Sequence, residues 1–381
     1  MRTWMYKRSV LLVLMVLMAG FAVASQAGVA DTTTVAGATT VADSMTVVEA
    51  TDVAESPSVE APLDVKKMIF SHINDSYTWH ITTIGHTHIE IPLLVIVKAP
   101  EGGLEAFSAA KLHHGHVYKG FYLATDGKYA GKVVTKAADG REVRPLDVSI
   151  TKNVLALLIS SLLVVLIVLI VARWYKKNPL KAPGGFVGTI EVVVEFLRND
   201  VIKSNIGPDY RKFQSYLMTV FFFILINNLL GLVPLFPGGA NVTGNIAVTF
   251  VLALFTMVIV NVFGTKAYWK EVFWPDVPMF LKLPIPLMPI VEIFGVISKP
   301  FSLMIRLFAN VMAGHTIMLS LVSLIFFTVA MGTTINAVMT SMSVLLSVFM
   351  FFVELLVSFL QAYIFTLLSS VYIGLARVKH H

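Results

Sequence analysis

Residues 301–376 read FSLMIRLFANVMAGHTIMLSLVSLIFFTVAMGTTINAVMTSMSVLLSVFMFFVELLVSFLQAYIFTLLSSVYIGLA. The apolar character begins earlier, near residue 285, and after Pro300 the one convincing break is Gly332-Thr333-Thr334. Each of the two segments so defined is about 40 residues, or about 60 Å as a helix at 1.5 Å per residue, twice the ~30 Å hydrocarbon thickness of a bilayer. Neither fits as an upright span. The sequence therefore predicts two long, strongly tilted helices packed as an antiparallel hairpin.

The rest of the chain is read outward from that hairpin. Of 381 residues, 56% are hydrophobic and 14% are charged, against about 25% charged in a soluble domain. The fold class is an all-α polytopic membrane protein, and an ordinary soluble enzyme is excluded. There is no cysteine, which removes disulfides, thiolate metal sites and thiol nucleophiles. Residues 1–149 carry 13 basic against 15 acidic side chains and residues 150–381 carry 16 against 8. Basic loops between apolar spans report cytoplasmic orientation rather than nucleic acid binding. No Gly-rich phosphate loop is present.

Residues 1–27 have a basic start (Arg2, Lys7, Arg8), a short apolar run and small-residue cleavage sites, the pattern of a signal peptide. An uncleaved first helix is the alternative, although the run is short for a span. Residues 28–66, without an aromatic residue, read as a disordered tether. Residues 67–149 read as a small β-rich extramembrane domain. Its β-prone runs are Ile81 to Ile84, Ile89 to Val97, Tyr118 to Leu123 and Lys132 to Thr135, separated by Gly-containing turns. This domain holds His72, His80, His86, His88, His113, His114 and His116. Surface histidines are the expectation and a Zn or Cu site the alternative.

Residues 150–381 form the membrane part, with about five helices. Asn153 to Ala172 has no charge and ends at Arg173, Lys176, Lys177 and Lys181, a cytoplasmic mark. Residues 185–212 are amphipathic and predict an interfacial helix. Phe213 to Thr265 is uncharged and broken at Pro234, Pro237, Gly238 and Gly239, which predicts two helices joined by an outer turn. Lys266, Lys270 and Lys282 return the chain to the cytoplasm, where Arg377, Lys379, His380 and His381 end it.

The chemistry lies in the ionisable residues of the hairpin. Glu292, Lys299 and Arg306 recur every seven residues and share a stripe, with Ser302 and Asn310 near the same line. Ser343, Ser347, Glu354, Ser358 and Gln361 form a stripe on the second helix. A guanidinium at membrane depth costs at least about 2.5–3.5 kcal/mol and cannot discharge itself. Its partner is either Glu354 or a group on another subunit. His315 lies nearly opposite Arg306 around the helix, and histidine, whose unperturbed side chain exchanges protons near neutrality, suits a proton relay.

Residues 298–315, SKPFSLMIRLFANVMAGH, resemble the signature of subunit a of F-type ATP synthases, and Glu354 to Phe365 resembles that family's last helix. Weaker likenesses are Ala182 to Phe186 leading into Ile190-Glu191, Asn228 before Pro234, Asn245, and Glu292 before Lys299-Pro300. The resemblance covers about residues 145–376; the remainder is similar to the extended amino-terminal region of some bacterial branches. It implies a proton-conducting stator subunit with two offset half-channels and no catalytic site, cofactor or metal of its own. Its partners would be the c-ring, b-type peripheral stalk subunits and the rest of the complex, in the bacterial inner membrane. The amino-terminal domain would lie outside and the carboxyl terminus in the cytoplasm. Carried onto these positions, Arg306 is the stator arginine with Gln361 beside it. His315 and Glu354 form the outer relay, an exchanged arrangement of acid and histidine. Asn310, Asn228 and Asn245 line aqueous access. Gly231 stands where some members carry an Asp. Two other readings are a secondary transporter with Arg306 as an anion site, which calls for internal repeats, and a non-conducting scaffold in which Arg306 and Glu354 pair only with each other.

Overall fold

The computed structural model describes residues 75–84, 87–98, 103–125, 127, 129–136, 140–233, 238–274 and 287–378. The expected signal peptide, tether and outer-turn prolines, together with His72 and His86, lie outside these residues. The amino-terminal part is built from short antiparallel strands. β1 (Thr78–Ile84) pairs with β2 (Thr87–Pro92). A second sheet places β3 (Leu94–Lys98) between β4 (Leu104–Ser108) and, from further along the chain, Leu146–Asp147. A third joins β5 (Phe121–Leu123), β6 (Val133–Lys136) and β7 (Glu142–Val143), so that Leu146–Asp147 is β8. The run from Ile89 to Val97 is two strands, not one: β2 ends at Pro92, which has no N–H for a ladder, and Leu93 separates it from β3. β4 was not expected; its LEAFS sequence carries weak strand propensity, and its pairing with β3 supplies the order.

Val95, Val97, Phe107, Leu112, Phe121 and Val133 close a small core. Tyr77 lies in it and donates its hydroxyl hydrogen bond to Asp147. Burial, then the adjoining Asp147 carboxylate, push the Tyr77 hydroxyl above the ordinary phenol range. A buried phenol without that acceptor would leave a polar group unpaired.

Helix α1 (Lys152–Lys177) follows, its first turn tied to the β region by Lys152 N–H to Ser76 O at 2.9 Å. α2 (Gly185–Phe196) continues into a π-helical turn, Leu197–Lys203, and then short helical turns to Lys212. The amphipathic segment is therefore a broken helix. Leu197, Val201, Ile202 and Ile206 are buried in the main core. α3 (Gln214–Leu232) and α4 (Ile246–Val262) are the two helices expected from the uncharged stretch. α5 (Lys266–Phe273) turns away from α4 by 103°. α6 (Leu287–Phe327) and α7 (Thr333–Ala376) form the hairpin, 41 and 44 residues long. Among the described residues, four helices are long and apolar enough to cross a membrane, and α4 with α5 makes a bent fifth. α3 packs against α7 and α1, and α4 against α6. The reversal between the long helices uses Gly332 at φ 101°, a region that L side chains avoid.

Two contacts fix the carboxyl-terminal end of the hairpin. Gly374 on α7 lies against the backbone carbonyl of Asn205, which leaves no room for a Cβ. Arg377 donates to Asp209, which also meets Lys212 at 3.0 Å. Lys212, and after it Arg377, hold the Asp209 carboxyl below the usual carboxylate range.

Gly374→Ala is expected to destabilise the packing of α7 on the short helical turn at Asn205 by about 1–3 kcal/mol, read as a lower midpoint of thermal unfolding in detergent. The Asp209 clip is fully present above the ordinary carboxylate range and lost only as pH falls through the depressed pKa of Asp209. Proteolysis of the carboxyl terminus should accordingly rise only in acid, and at neutral pH in Asp209→Asn; protection of that variant would rule the clip out.

Candidate functional site

Arg306 stands at the midpoint of α6 and Glu354 at the midpoint of α7, the deepest positions a symmetric tilted hairpin offers. The two polar stripes have different surroundings. On α7, Ser343, Glu354, Ser358 and Gln361 are buried, and Ser347 is half-buried. On α6, Lys299, Ser302 and Asn310 are exposed, and Glu292 and Arg306 are half-buried. The α7 stripe is turned into the protein, while that of α6 runs along the open edge of the hairpin. One direct bridge joins them: Asn310 Nδ2 donates to Gln361 Oε1 at 2.8 Å, one turn beyond Arg306.

Glu354 is not the partner of Arg306. Among the described residues no carboxylate lies within 4 Å of the Arg306 guanidinium, and it makes no hydrogen bond. Glu354 instead approaches His315, with Oε1 3.8 Å from Nδ1, close enough for charge interaction but beyond a direct hydrogen bond. Two glycines make this possible. A Cβ on Gly314 would lie 2.8 Å from Glu354 Oε1, and one on Gly231 of α3 would lie 3.4 Å from His315 Nε2. Periodicity does not single out Gly314 as a space-clearing position; its signals in the sequence are its place in the 298–315 stretch and its adjacency to His315.

Asn228, Asn310, His315, Glu354 and Ser358 line one cleft with Leu232. Asn228 donates to Ser358 O at 3.3 Å and accepts from Thr243 Oγ1 at 2.6 Å. Thr243 had no signal in the sequence. A second cleft is lined by Thr256, Asn261, Tyr268, Lys299 and Tyr372, among others. The Lys299 ammonium lies 6.0 Å from the Tyr372 ring centroid, at the edge of cation–π range. Glu292 is near enough to Tyr268 to act on it electrostatically. Asn245 stands apart from both clefts: it caps α4, its side chain accepting from Ala247 N–H at 3.0 Å. The clefts fall on either side of Arg306 along α6, at residues 296–300 and 310–315. Lys299 and His315 are therefore about 10 Å and 14 Å of helix rise from it. Among the described residues, no group of three or more His, Asp or Glu is arranged to hold a metal ion.

The family model described as ATP synthase A chain matches residues 155–374, and one described as a domain of unknown function matches residues 68–152. ATP synthase subunit a of Chlorobium phaeobacteroides is 45% identical over 236 residues, 60% of this chain and 66% of that protein. Its counterpart in Pelodictyon phaeoclathratiforme is 46% identical over 237 residues, 61% and 66%. In Anaeromyxobacter dehalogenans, ATP synthase subunit a is 38% identical over 295 residues, 74% and 73%. The chain thus spans just under two thirds of the first two relatives. With the family model covering more than half of its length, including both long helices up to Gly374, this chain is an integral membrane protein of the ATP synthase A chain family.

Proposed function

We propose that this chain is the proton-conducting stator subunit of the membrane sector of a rotary ATP synthase. The observation that carries the reading is Arg306: a permanent cation at the centre of α6, half-exposed on an open edge, with no acid of its own chain beside it among the described residues. A charge at that depth needs a counterpart, and a ring of small subunits, each bearing one membrane carboxyl, supplies it. The scaffold alternative needs an Arg306–Glu354 pair, against which the geometry speaks.

The mechanism follows from charge. A protonated ring carboxyl is neutral and crosses the lipid face at low cost. Opposite Arg306 the ionised form is favoured, and the proton leaves. The His315–Glu354 cleft serves as the outer half-channel and the Lys299–Tyr372 cleft, with Glu292 behind it, as the inner one. Arg306 separates them and prevents a direct leak. Asn310 and Gln361 fix the α6–α7 seam beside Arg306, while Asn228 lines the outer cleft. Asn245 acts by capping α4. Each charge moved through the field contributes about 2.3 kcal/mol per 100 mV, and ring rotation carries that energy to ATP synthesis on other subunits, this one having no catalytic site, cofactor or metal.

The partners are the c-ring, the b-type stalk and the rest of the complex. The membrane is the bacterial inner membrane, with the carboxyl terminus cytoplasmic. Residues 67–149 form the outer domain, after a signal peptide at 1–27 and a tether at 28–66. The basic residues Lys176 and Lys177 in the last turn of α1 support this orientation.

Arg306→Lys is expected to abolish ATP-driven acidification of inverted vesicles carrying the assembled complex; wild-type pumping in that variant would overturn the reading. His315→Ala should slow passive proton flux through the membrane sector by about tenfold or more, equivalent to ~1.4 kcal/mol of barrier. An unchanged flux would take His315 off the path.

A further inference from the structure

The β region does not hang free of the membrane helices. Trp79 of β1 is buried in the same core as Ala156, Leu157 and Val164 of α1 and the middle of α3, and Ile91 of β2 packs against it. The junction is polar beneath that contact. Asp75 Oδ1 accepts from Asn153 N–H at 3.0 Å, in the manner of a helix cap, and Ser76 O accepts from Lys152 N–H. Lys152 itself is only 8% exposed, although it sits at the first position of α1.

A buried ammonium at the head of a membrane helix is costly unless charge or water meets it. Asp75 is one such charge, close enough to act on Lys152. The other direction is more informative. α1 and α3 pack side by side, and the start of α1 and the end of α3 both come near His315 of α6. There Gly231 lies against the His315 ring, and the field of Lys152 reaches that imidazole. Further polar atoms mark the same helix pair: Asn153 Oδ1 and Ser161 Oγ on α1 and Asn227 Oδ1 on α3 are buried without a hydrogen-bond partner. Buried polar atoms of this kind are ordinarily met by water.

We propose that the outer mouth of the His315–Glu354 pathway lies where the β domain meets α1, and that Lys152, steadied by Asp75, is a positioning residue there that filters entry by charge. This rests on the reading of the His315 cleft as the outer half-channel. The β domain thereby gains a role, since it sets the Asp75 carboxylate beside Lys152 and so fixes where that side chain sits at the entrance. Protons reach His315 by short transfers between water and polar groups. A hydrated metal cation must carry its whole charge past Lys152, and a fixed cation lining a pore is a barrier to such ions.

The absence of cysteine from the chain allows a direct test. His315→Cys is introduced into the assembled complex, in membrane vesicles whose outer face is accessible, and Ag⁺ is added outside. Its reaction is read as loss of thiol labelling after denaturation, so that no pumping activity is needed. Adding Lys152→Gln should speed the reaction roughly tenfold, the lower end of charge focusing in a cleft, and Asp75→Asn, which removes the carboxylate beside Lys152, should slow it; a faster reaction in Asp75→Asn would overturn the charge filter. Lys152→Arg, which keeps the charge, should restore the original rate and so separates charge from loss of folding. Reaction at one rate in all backgrounds would overturn the role of Lys152 and leave the outer half-channel standing. No reaction from outside in any background would overturn the half-channel at His315 itself.

Discussion

A guanidinium cannot give up its charge, and at membrane depth it cannot be left alone. Most of the architecture can be traced to that constraint at Arg306. The residue sits midway along a helix twice as long as a bilayer is thick, so the helix must tilt and its polar edge crosses the hydrocarbon obliquely. The companion helix turns its own polar stripe inward, where Glu354, Ser358 and Gln361 are buried among neighbouring helices. Asn310 and Gln361 cross the seam between the two stripes. The acid in this chain that could have neutralised Arg306 is committed to His315 instead, with Gly314 and Gly231 clearing the space. The cation is thereby left available to a group on another chain.

That division explains why the hairpin is so poorly covered. α6 and α7 expose Phe294, Ile297, Phe301, Val338, Leu345, Phe349, Phe352 and Leu356. In water such a surface would drive aggregation. In lipid it is ordinary, and where it adjoins a charged stripe it suits a protein surface that must slide past. Tight packing is concentrated elsewhere: α3 is held by α1 and α7, and the short helical turn after Lys203 fills the space under α7 where Gly374 admits the Asn205 carbonyl. A rigid back and an open front suit the proposed role of a stator working against a rotor.

Much of this was legible in the residues because the bilayer imposes simple rules. The lengths of 41 and 44 residues between breaks, the Gly332 reversal and the uncharged 213–265 stretch all report helix count directly. The stripes followed from helical periodicity, and the inward set on α7 lies as the pattern implies. Which stripe would be buried was not legible, since periodicity gives a face but not what covers it. Asn245 illustrates a related limit: the resemblance implies that it lines aqueous access, and the structure adds that its side chain satisfies a free N–H at a helix start. In the β region the strands are two to seven residues long, too short for alternation to be read with assurance, so β4, β7 and β8 emerge only from pairing.

Lys152 shows how the two halves of the chain depend on one another. Read from the sequence, it is simply the basic residue before an apolar span. Its significance comes from two contacts that no local pattern encodes: a backbone bond to Ser76, which fixes the β region to the first turn of α1, and the packing of α1 on α3, the helix that carries Gly231. Since His315 lies against Gly231, any rearrangement of the β domain that moved Asp75 would alter the field at that imidazole. The amino-terminal region and the membrane helices are therefore one electrostatic unit, coupled through a buried ammonium as well as through the apolar contact of Trp79.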